Sequence, residues 1–368
     1  MKKVLMVSCD GLGHGGVQAV MMSIIRNLKK EYCFDMLLFT SDRRYYDDEF
    51  ESYGGKIFRI PRYEGKASLR KKADSFIRGI PLYFKVLSLL KENGPYDVIH
   101  CHDELESSII LKAASDVGIP IRIAHTHIIH RDRNIIIDFL NVFRKKLIEK
   151  YATIKIACSK EASDAFYLFP SKAHIIYSPY DEVKFNISKA KVNKSKCFNI
   201  LSVGNLCENK NQLYALAVLK HILNEIPNSK LILVGSDINN YKNILLNYIE
   251  NNNLYNNVVF MPHNSNIPEI MSYTDIFLFP SKTEGFGIVL VEAQSMGIKC
   301  YASDTVPTDA NCGGVTYISL NETAAFWANK ISEDYRNQKC NRANYNVSHF
   351  STSNIMQKYI KIYKGEIL

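Results

Sequence analysis

Glu284 and Glu292 stand eight residues apart, and Gly285, Phe286, Gly287 and Ile288 follow directly after the first. That combination suits a long polar ligand. A carboxylate accepts hydrogen bonds from paired hydroxyls, so one Glu can hold a ribose and the other a sugar. The two glycines let backbone approach a ligand closely, and a helix starting there presents N–H groups to phosphate. Were all eight residues helical, the carboxylates would be separated by roughly 12 Å of rise and would lean to similar sides. The plain alternative is a pair of solvated glutamates around a tight Gly-Phe-Gly turn. A second glycine-rich stretch, Gly11-Leu12-Gly13-His14-Gly15-Gly16, is a phosphate-approach device of the same kind. His102, His125 and His127 close two apolar runs, a position where ligands of open α/β sheets collect, although structural hydrogen bonding is the commoner duty of a histidine there.

The elements that must carry these residues can be read from periodicity. Asp275 to Phe279 is an unbroken apolar run of strand length that Pro280 and Ser281 end, and Ile288 to Met296 has helical spacing until Gly297 stops it. This is a βαβ unit. A first strand over Lys3 to Ser8 runs into the Gly11–Gly16 loop and a helix over Val17 to Leu28. Further strands are expected at Phe34 to Thr40, Lys56 to Ile60, Asp97 to His102, Ile121 to His125, Ile154 to Cys158 and His174 to Tyr177. A second series opens at Phe198. Strand and helix alternate throughout, which predicts α/β architecture with parallel, doubly wound sheets. The polar, Lys-rich stretch from Ser188 to Lys196 reads as a linker.

Length and composition agree with this organisation. A chain of 368 residues suggests about two domains, each able to bury a core. No apolar run approaches the roughly 20 residues of a membrane span, and Val4 to Val7 is too short for a signal-peptide core, so a cytoplasmic location is expected. Nine cysteines without a CxxC pair fit reduced thiols and argue against a disulfide framework or zinc site. The formal charge of +9 is concentrated in the first half, where residues 1 to 178 carry +7 of it. Between Arg62 and Lys91, eight basic residues against two acids are interleaved with Phe76, Ile77, Leu82, Tyr83, Phe84 and Leu87. That pattern could form a basic amphipathic surface for an anionic membrane, or a solvated helix face. Nucleic acid fits poorly, because no recognised binding module accompanies the charge.

The stretch PSKTEGFGIVLVEAQSMG closely resembles the Glu, seven residues, Glu signature of retaining GT-B glycosyltransferases of family 4, the glycosyl transferases group 1. Other stretches extend the resemblance over most of the chain, and its wording is most similar to bacterial enzymes of exopolysaccharide and capsule synthesis. HGGVQAVMMSIIRNL resembles the family's glycine loop and first helix, FNILSVGNLCENKNQ its strand, Gly, Arg, Lys pattern, and FSTSNIMQKYIKIYK its last helix, which crosses back to the first domain.

The resemblance implies a GT-B fold of two Rossmann-like domains with an interdomain cleft: an acceptor domain over 1–180, a linker over 181–197, a nucleotide-sugar domain over 198–348 and the crossing helix over 349–368. It implies a retaining transfer of a hexose or N-acetylhexosamine from a nucleotide sugar, with UDP-linked donors the usual ones, to a saccharide or lipid-linked saccharide at the inner membrane face. The implied site comprises Gly15, Gly16, Gly204, Asn205, Lys210, Met261, His263, Glu284, Gly285, Phe286, Gly287, Ile288 and Glu292 for the donor, with His127, Glu284 and Lys210 in the chemistry. Asn205 departs from the family, which has Arg there and so a planar charged fork at the diphosphate. No Asp-x-Asp motif is present, so neither a metal nor another cofactor is expected. A non-catalytic GT-B subunit and a nucleotide-sugar epimerase are the alternatives.

Overall fold

The computed structural model describes residues 1–8, 11–61, 79–102, 105–127, 135–189 and 196–366. Most of the basic Arg62–Lys91 stretch, including Phe76 and Ile77, and part of the expected linker lie outside the described residues. Contacts divide the chain into one unit of Met1–Pro179 with Ser353–Leu368 and a second of Tyr180–Thr352.

The first unit is built on seven strands: β1 (Lys2–Ser8), β2 (Tyr32–Leu38), β3 (Ile57–Arg59), β4 (Val98–Cys101), β5 (Ile121–Thr126), β6 (Ile154–Ala157) and β7 (His174–Ile175). Their order is β3-β2-β1-β4-β5-β6-β7, and every pairing is parallel. The order reverses between β1 and β4. In such a sheet the crevice beyond the strand ends at this switch is where ligands bind. β2 is shifted two residues towards the amino terminus from its expected span, because Tyr32 and Cys33 pair with Lys2 and Lys3 while Thr40 belongs to the following loop.

The second unit repeats the plan with six strands: β8 (Phe198–Val203), β9 (Ser229–Val234), β10 (Val258–Met261), β11 (Ile276–Phe279), β12 (Lys299–Ser303) and β13 (Val315–Ile318). The order is β10-β9-β8-β11-β12-β13, again all parallel, so the switch falls between β8 and β11.

Parallel strands covered by helices on both faces need near-continuous apolar sequence, and Val4 to Val7 in β1 and Ile276 to Phe279 in β11 are almost wholly buried. Helices contribute apolar stripes. Val20, Met21, Ile24, Ile25 and Leu28 of the Gly16–Leu28 helix enter the first core. The same core takes Ile355, Met356, Tyr359, Ile362 and Tyr363 from the last helix, Thr352–Lys364. Burying side chains of that size stabilises by about 1.5–3 kcal/mol each, so the helix is an integral part of the first unit. Trp327, fully buried, anchors the Ala324–Arg336 helix in the second core and donates from its indole nitrogen to the Ser319 carbonyl at 3.1 Å.

Candidate active site

At the switch point of the second unit two loops meet, Gly204–Asn211 after β8 and Pro280–Gly287 after β11. The first carries its glycine for a steric reason. Gly204 has φ +149°, a backbone conformation that side-chain-bearing residues rarely adopt, and it lies in ordinary contact range of the Lys210 stem. Asn211, at φ 57°, turns the chain into the Gln212–Glu225 helix, and its side-chain amide donates to the Pro280 carbonyl at 3.1 Å. Asn209 donates to the Thr283 carbonyl at 2.9 Å and accepts from the Lys282 N–H at 2.8 Å through its own carbonyl. Buried Gln212 donates to the Asn205 carbonyl at 2.9 Å. Ser303 and Thr305 both donate to the Ser281 carbonyl, the latter at 2.8 Å.

This stitching sets two ion pairs, an exposed one between Lys282 and Glu208 at 2.8 Å and a more buried one between Lys210 and Glu284. Lys210 Nζ lies 2.5 Å from Glu284 Oε1, with side-chain exposures of 24% and 11%. The ammonium also sits 5.2 Å from the centre of the Phe279 ring. Mostly dehydrated charges of this kind are costly apart and favourable together. A ligand entering here meets a carboxylate and an ammonium already oriented by each other. Gly287, at φ +86°, precedes the Ile288–Ser295 helix, whose start is not capped by any Gly287 side chain. Glu292 lies in that helix, half-buried. Burial pushes its carboxyl up to about 7, with Lys184 lowering it and Asp181 raising it. The eight-residue interval is therefore loop as far as Gly287 and helix only from Ile288, so the fully helical spacing considered from the sequence does not apply.

In the first unit the Gly16–Leu28 helix starts at the end of β1 without a side-chain cap from Gly15. Beside it, β4 and β5 bring four histidines together. His100 and His102 lie on one face of β4 and its end, and since Cys101 is in register with Ala124, His102 is level with His125. His102 Nδ1 is 2.9 Å from His127 Nε2, His100 Nε2 is 3.1 Å from His125 Nδ1, and His100 Nδ1 is 2.8 Å from Tyr363 Oη. The rings of His125 and His127 are 3.9 Å apart. Burial holds His100, His102 and His125 well below the usual imidazole range, and pushes His127 down to about 3. One ring nitrogen from each of His100, His102 and His125 lies within 4.8 Å of the others. The His100 and His102 rings are stacked at 4.0 Å and 30°, however, so their in-plane lone pairs run side by side and do not converge as metal ligands must.

Residues 183–341 match the family described as Glycosyl transferases group 1. The chain carries a group 1 glycosyltransferase domain. Among curated proteins, it is 29% identical over 357 residues to EpsF of Bacillus subtilis (strain 168), a candidate glycosyltransferase, covering 90% of this chain and 87% of that one. It is 27% identical over 316 residues to an Escherichia coli protein named UDP-Gal:alpha-D-GlcNAc-diphosphoundecaprenol alpha-1,3-galactosyltransferase, covering 78% and 76% of the two chains. The crystal structure of Anabaena Alr3699/HepE in complex with UDP and glucose superimposes with a TM-score of 0.78 at 19% identity, over 99% of this chain and 100% of that one. The two parallel-sheet units are those of the GT-B fold.

Within the group 1 domain, the residues singled out from sequence fall in three places. Gly204, Asn205 and Lys210 lie on the loop after β8, while Glu284, Gly285, Phe286, Gly287 and Ile288 lie on the loop and helix start after β11. Lys210 and Glu284 are brought into contact. Met261 and His263 sit at the end of β10, the edge strand, and the Met261 carbonyl accepts from the Gly235 N–H at 3.2 Å. Gly15, Gly16 and His127 belong to the first unit.

Sequence reasoning missed the residues that hold the group 1 site in shape. Gly235 is the clearest: a Cβ there would lie 2.0 Å from the Gly204 carbonyl oxygen, so only glycine lets β9 end against the β8 loop. Ser236 and Asp237, given no role from sequence, continue that support. Leu206 N–H donates to the Ser236 carbonyl at 2.8 Å, and Asp237 accepts from the Lys242 N–H at 3.0 Å. The run Asn209-Lys210-Asn211-Gln212 held a usable signal, since amide side chains in a loop after a strand are suited to hydrogen-bonding nearby backbone and so to fixing the lysine between them.

Proposed function

We propose that this chain is a retaining glycosyltransferase that moves a hexose or N-acetylhexosamine from a UDP-sugar to a lipid-linked saccharide during surface polysaccharide synthesis. The observation that carries the reading is the Lys210–Glu284 pair at the β8/β11 switch point of a group 1 domain. The Escherichia coli relative, named for a UDP-galactose donor and a diphosphoundecaprenol acceptor, supports the substrate classes. A Staphylococcus aureus relative, 26% identical over 289 residues, is named for capsular polysaccharide biosynthesis.

In this reading the protein's work is electrostatic and needs no metal. Lys210 and the helix start at Ile288 stabilise charge growing on the departing diphosphate, whose oxygen takes the acceptor's proton. Glu284 holds sugar hydroxyls while it orients Lys210, Glu292 holds the ribose, and His127 of the first unit contacts the sugar ring. No helix among the described residues is long and apolar enough to cross a membrane. Contact with the inner face is assigned to the basic first unit, where Phe84 and Phe143 are 60% and 48% exposed on the Gly79–Asn93 and Ile135–Tyr151 helices.

A thermal-shift screen of UDP- and GDP-sugars, followed by turnover with a lipid-linked saccharide, tests the proposal. A saturating donor at a hundred times its dissociation constant raises stability by roughly 2.7 kcal/mol. Conversion of the donor without acceptor would point to an epimerase, and binding with no conversion to a non-catalytic subunit. Salt-sensitive sedimentation with anionic liposomes, absent with neutral ones, checks the membrane contact.

A further inference from the structure

The hydrogen bonds of the histidine cluster have a direction that can be worked out. If Tyr363 Oη donated to His100 Nδ1, His100 Nε2–H would donate to His125 Nδ1 and leave an orphaned buried N–H on His125 Nε2; the less costly direction has Tyr363 Oη accept from His100 Nδ1–H and turn its own proton to Met6 Sδ at 3.7 Å. His100 Nε2 is then a lone pair and accepts from His125 Nδ1–H. The chain ends at His125 Nε2, which is buried and has no partner among the described residues. The second pair is governed by the same cost. His102 Nδ1 and His127 Nε2 share one proton, and His102 Nε2 is likewise buried without a partner among the described residues. Were His127 the donor, His102 would carry its own proton on Nε2 as an orphaned buried N–H. With His102 as donor the orphan is a lone pair, the more tolerable defect. Burial keeps these rings neutral, so each carries a single proton and the choice is exclusive.

We propose that His102 is a positioning residue that fixes His127 as the Nδ1–H tautomer, so that His127 meets a sugar oxygen as a hydrogen-bond donor and not as a base. His127 Nε2 is occupied by His102, which leaves Nδ1–H as the ring's remaining polar group. His102 is held in turn by its stack on His100, 4.0 Å away, and His100 by Tyr363 of the last helix. The inference rests on the reading of His127 as a sugar contact, but the tautomer itself is measurable without any substrate.

Long-range proton–nitrogen correlation spectra of the full chain with 15N-labelled histidine, assigned with His127→Gln, decide it. The expected parent spectrum shows His127 protonated at Nδ1 with a bare Nε2. His102→Asn places an amide N–H where Nδ1 stood and should preserve that tautomer, whereas His102→Leu should move the proton to Nε2. In transfer assays His102→Leu should lower kcat at least about tenfold with donor KM little changed, and His102→Asn should recover most of it. A parent spectrum with Nε2–H at His127, an unchanged tautomer in His102→Leu, or equal losses of kcat in both variants overturns the proposal. Absence of transfer from any donor defeats the functional reading while leaving the tautomer result to stand or fall by itself.

Discussion

At the ends of β4 and β5 four imidazoles are packed against one another, and two of their ring nitrogens are buried without a partner among the described residues. At the ends of β8 and β11 the loop carbonyls of Asn205, Pro280, Ser281 and Thr283 each accept a side-chain donor, and the charges on the two loops are paired, Lys210 with Glu284 and Lys282 with Glu208. The second region occupies the switch point of its sheet, whereas the histidines stand on β4, which borders the β1/β4 switch of the first sheet, and on β5, one strand beyond it. The difference lies in which form of each group burial favours. Isolated imidazoles can shed their charge, so burial in the first unit is met by neutrality. Lys210 and Glu284 are paired with each other, and burial draws Glu292 towards protonation, with Lys184 opposing and Asp181 adding to the shift.

The largest expected effect follows from the sign of these shifts. A buried histidine whose folded pKa is depressed takes up a proton on unfolding, so it stabilises fully above about 6.5 and loses that contribution as pH falls towards the folded value. Each such histidine contributes up to about 1.4 kcal/mol per pH unit in that window. Urea midpoints of the parent should therefore drop steeply between pH 7 and pH 5, and His125→Gln should have a visibly shallower dependence. Equal slopes in parent and variant would show that the cluster is already protonated in the fold.

Next in size is Gly235→Ala. Its added methyl meets the Gly204 carbonyl oxygen, and the loop after β8 must move, at a cost of about 3 kcal/mol by equilibrium denaturation. A variant as stable as the parent would mean that β9 and the β8 loop are not held together as described.

Lys210→Ala should cost at least about tenfold in turnover, or about 1.4 kcal/mol of barrier. Because Glu284 orients the ammonium, Glu284→Ala should impair transfer too, and the double variant should lose much less than the sum of the two losses. Independent, additive losses in this cycle would separate the pair functionally and leave Glu284 with the sugar alone. Asn205→Arg should be tolerated and tighten UDP, read by calorimetry.

The smallest effect distinguishes the second unit by its opposite sign. Glu292, with a folded value near 7 against an ordinary 4.5, retains its proton on folding, so its contribution falls as pH rises between those values. Glu292→Gln should remove this loss, and Glu292→Ala should weaken UDP as well as the whole donor. A Gln variant with an unchanged pH profile would place Glu292 in water.

Much of this architecture was legible in the amino-acid order. Buried parallel strands must be short apolar runs, and glycines at strand ends mark the places where the chain turns close to something else, so both sheets and both glycine loops could be read locally. Glu284 and Lys210 were also visible one at a time. Their pairing was not, because it spans 74 residues and depends on Asn209 and Asn211 fastening two loops. The histidine network was less accessible still. His127 stood out as a family match, but His100 reads as an ordinary strand residue until Tyr363, 263 positions away, is found hydrogen-bonded to it. Local periodicity carries no information about such a partner.

The last helix has a consequence for synthesis on the ribosome. The first unit starts to emerge before the second, yet Ile355, Met356, Tyr359, Ile362 and Tyr363 are made only after Tyr180–Thr352. At translation rates of about 5–20 residues per second that interval lasts on the order of 10–35 s. During it, the part of the first core that these five side chains fill is left open, and His100 lacks its tyrosine partner. The unit begun first is the one completed last, and its core closes only when the final turns arrive.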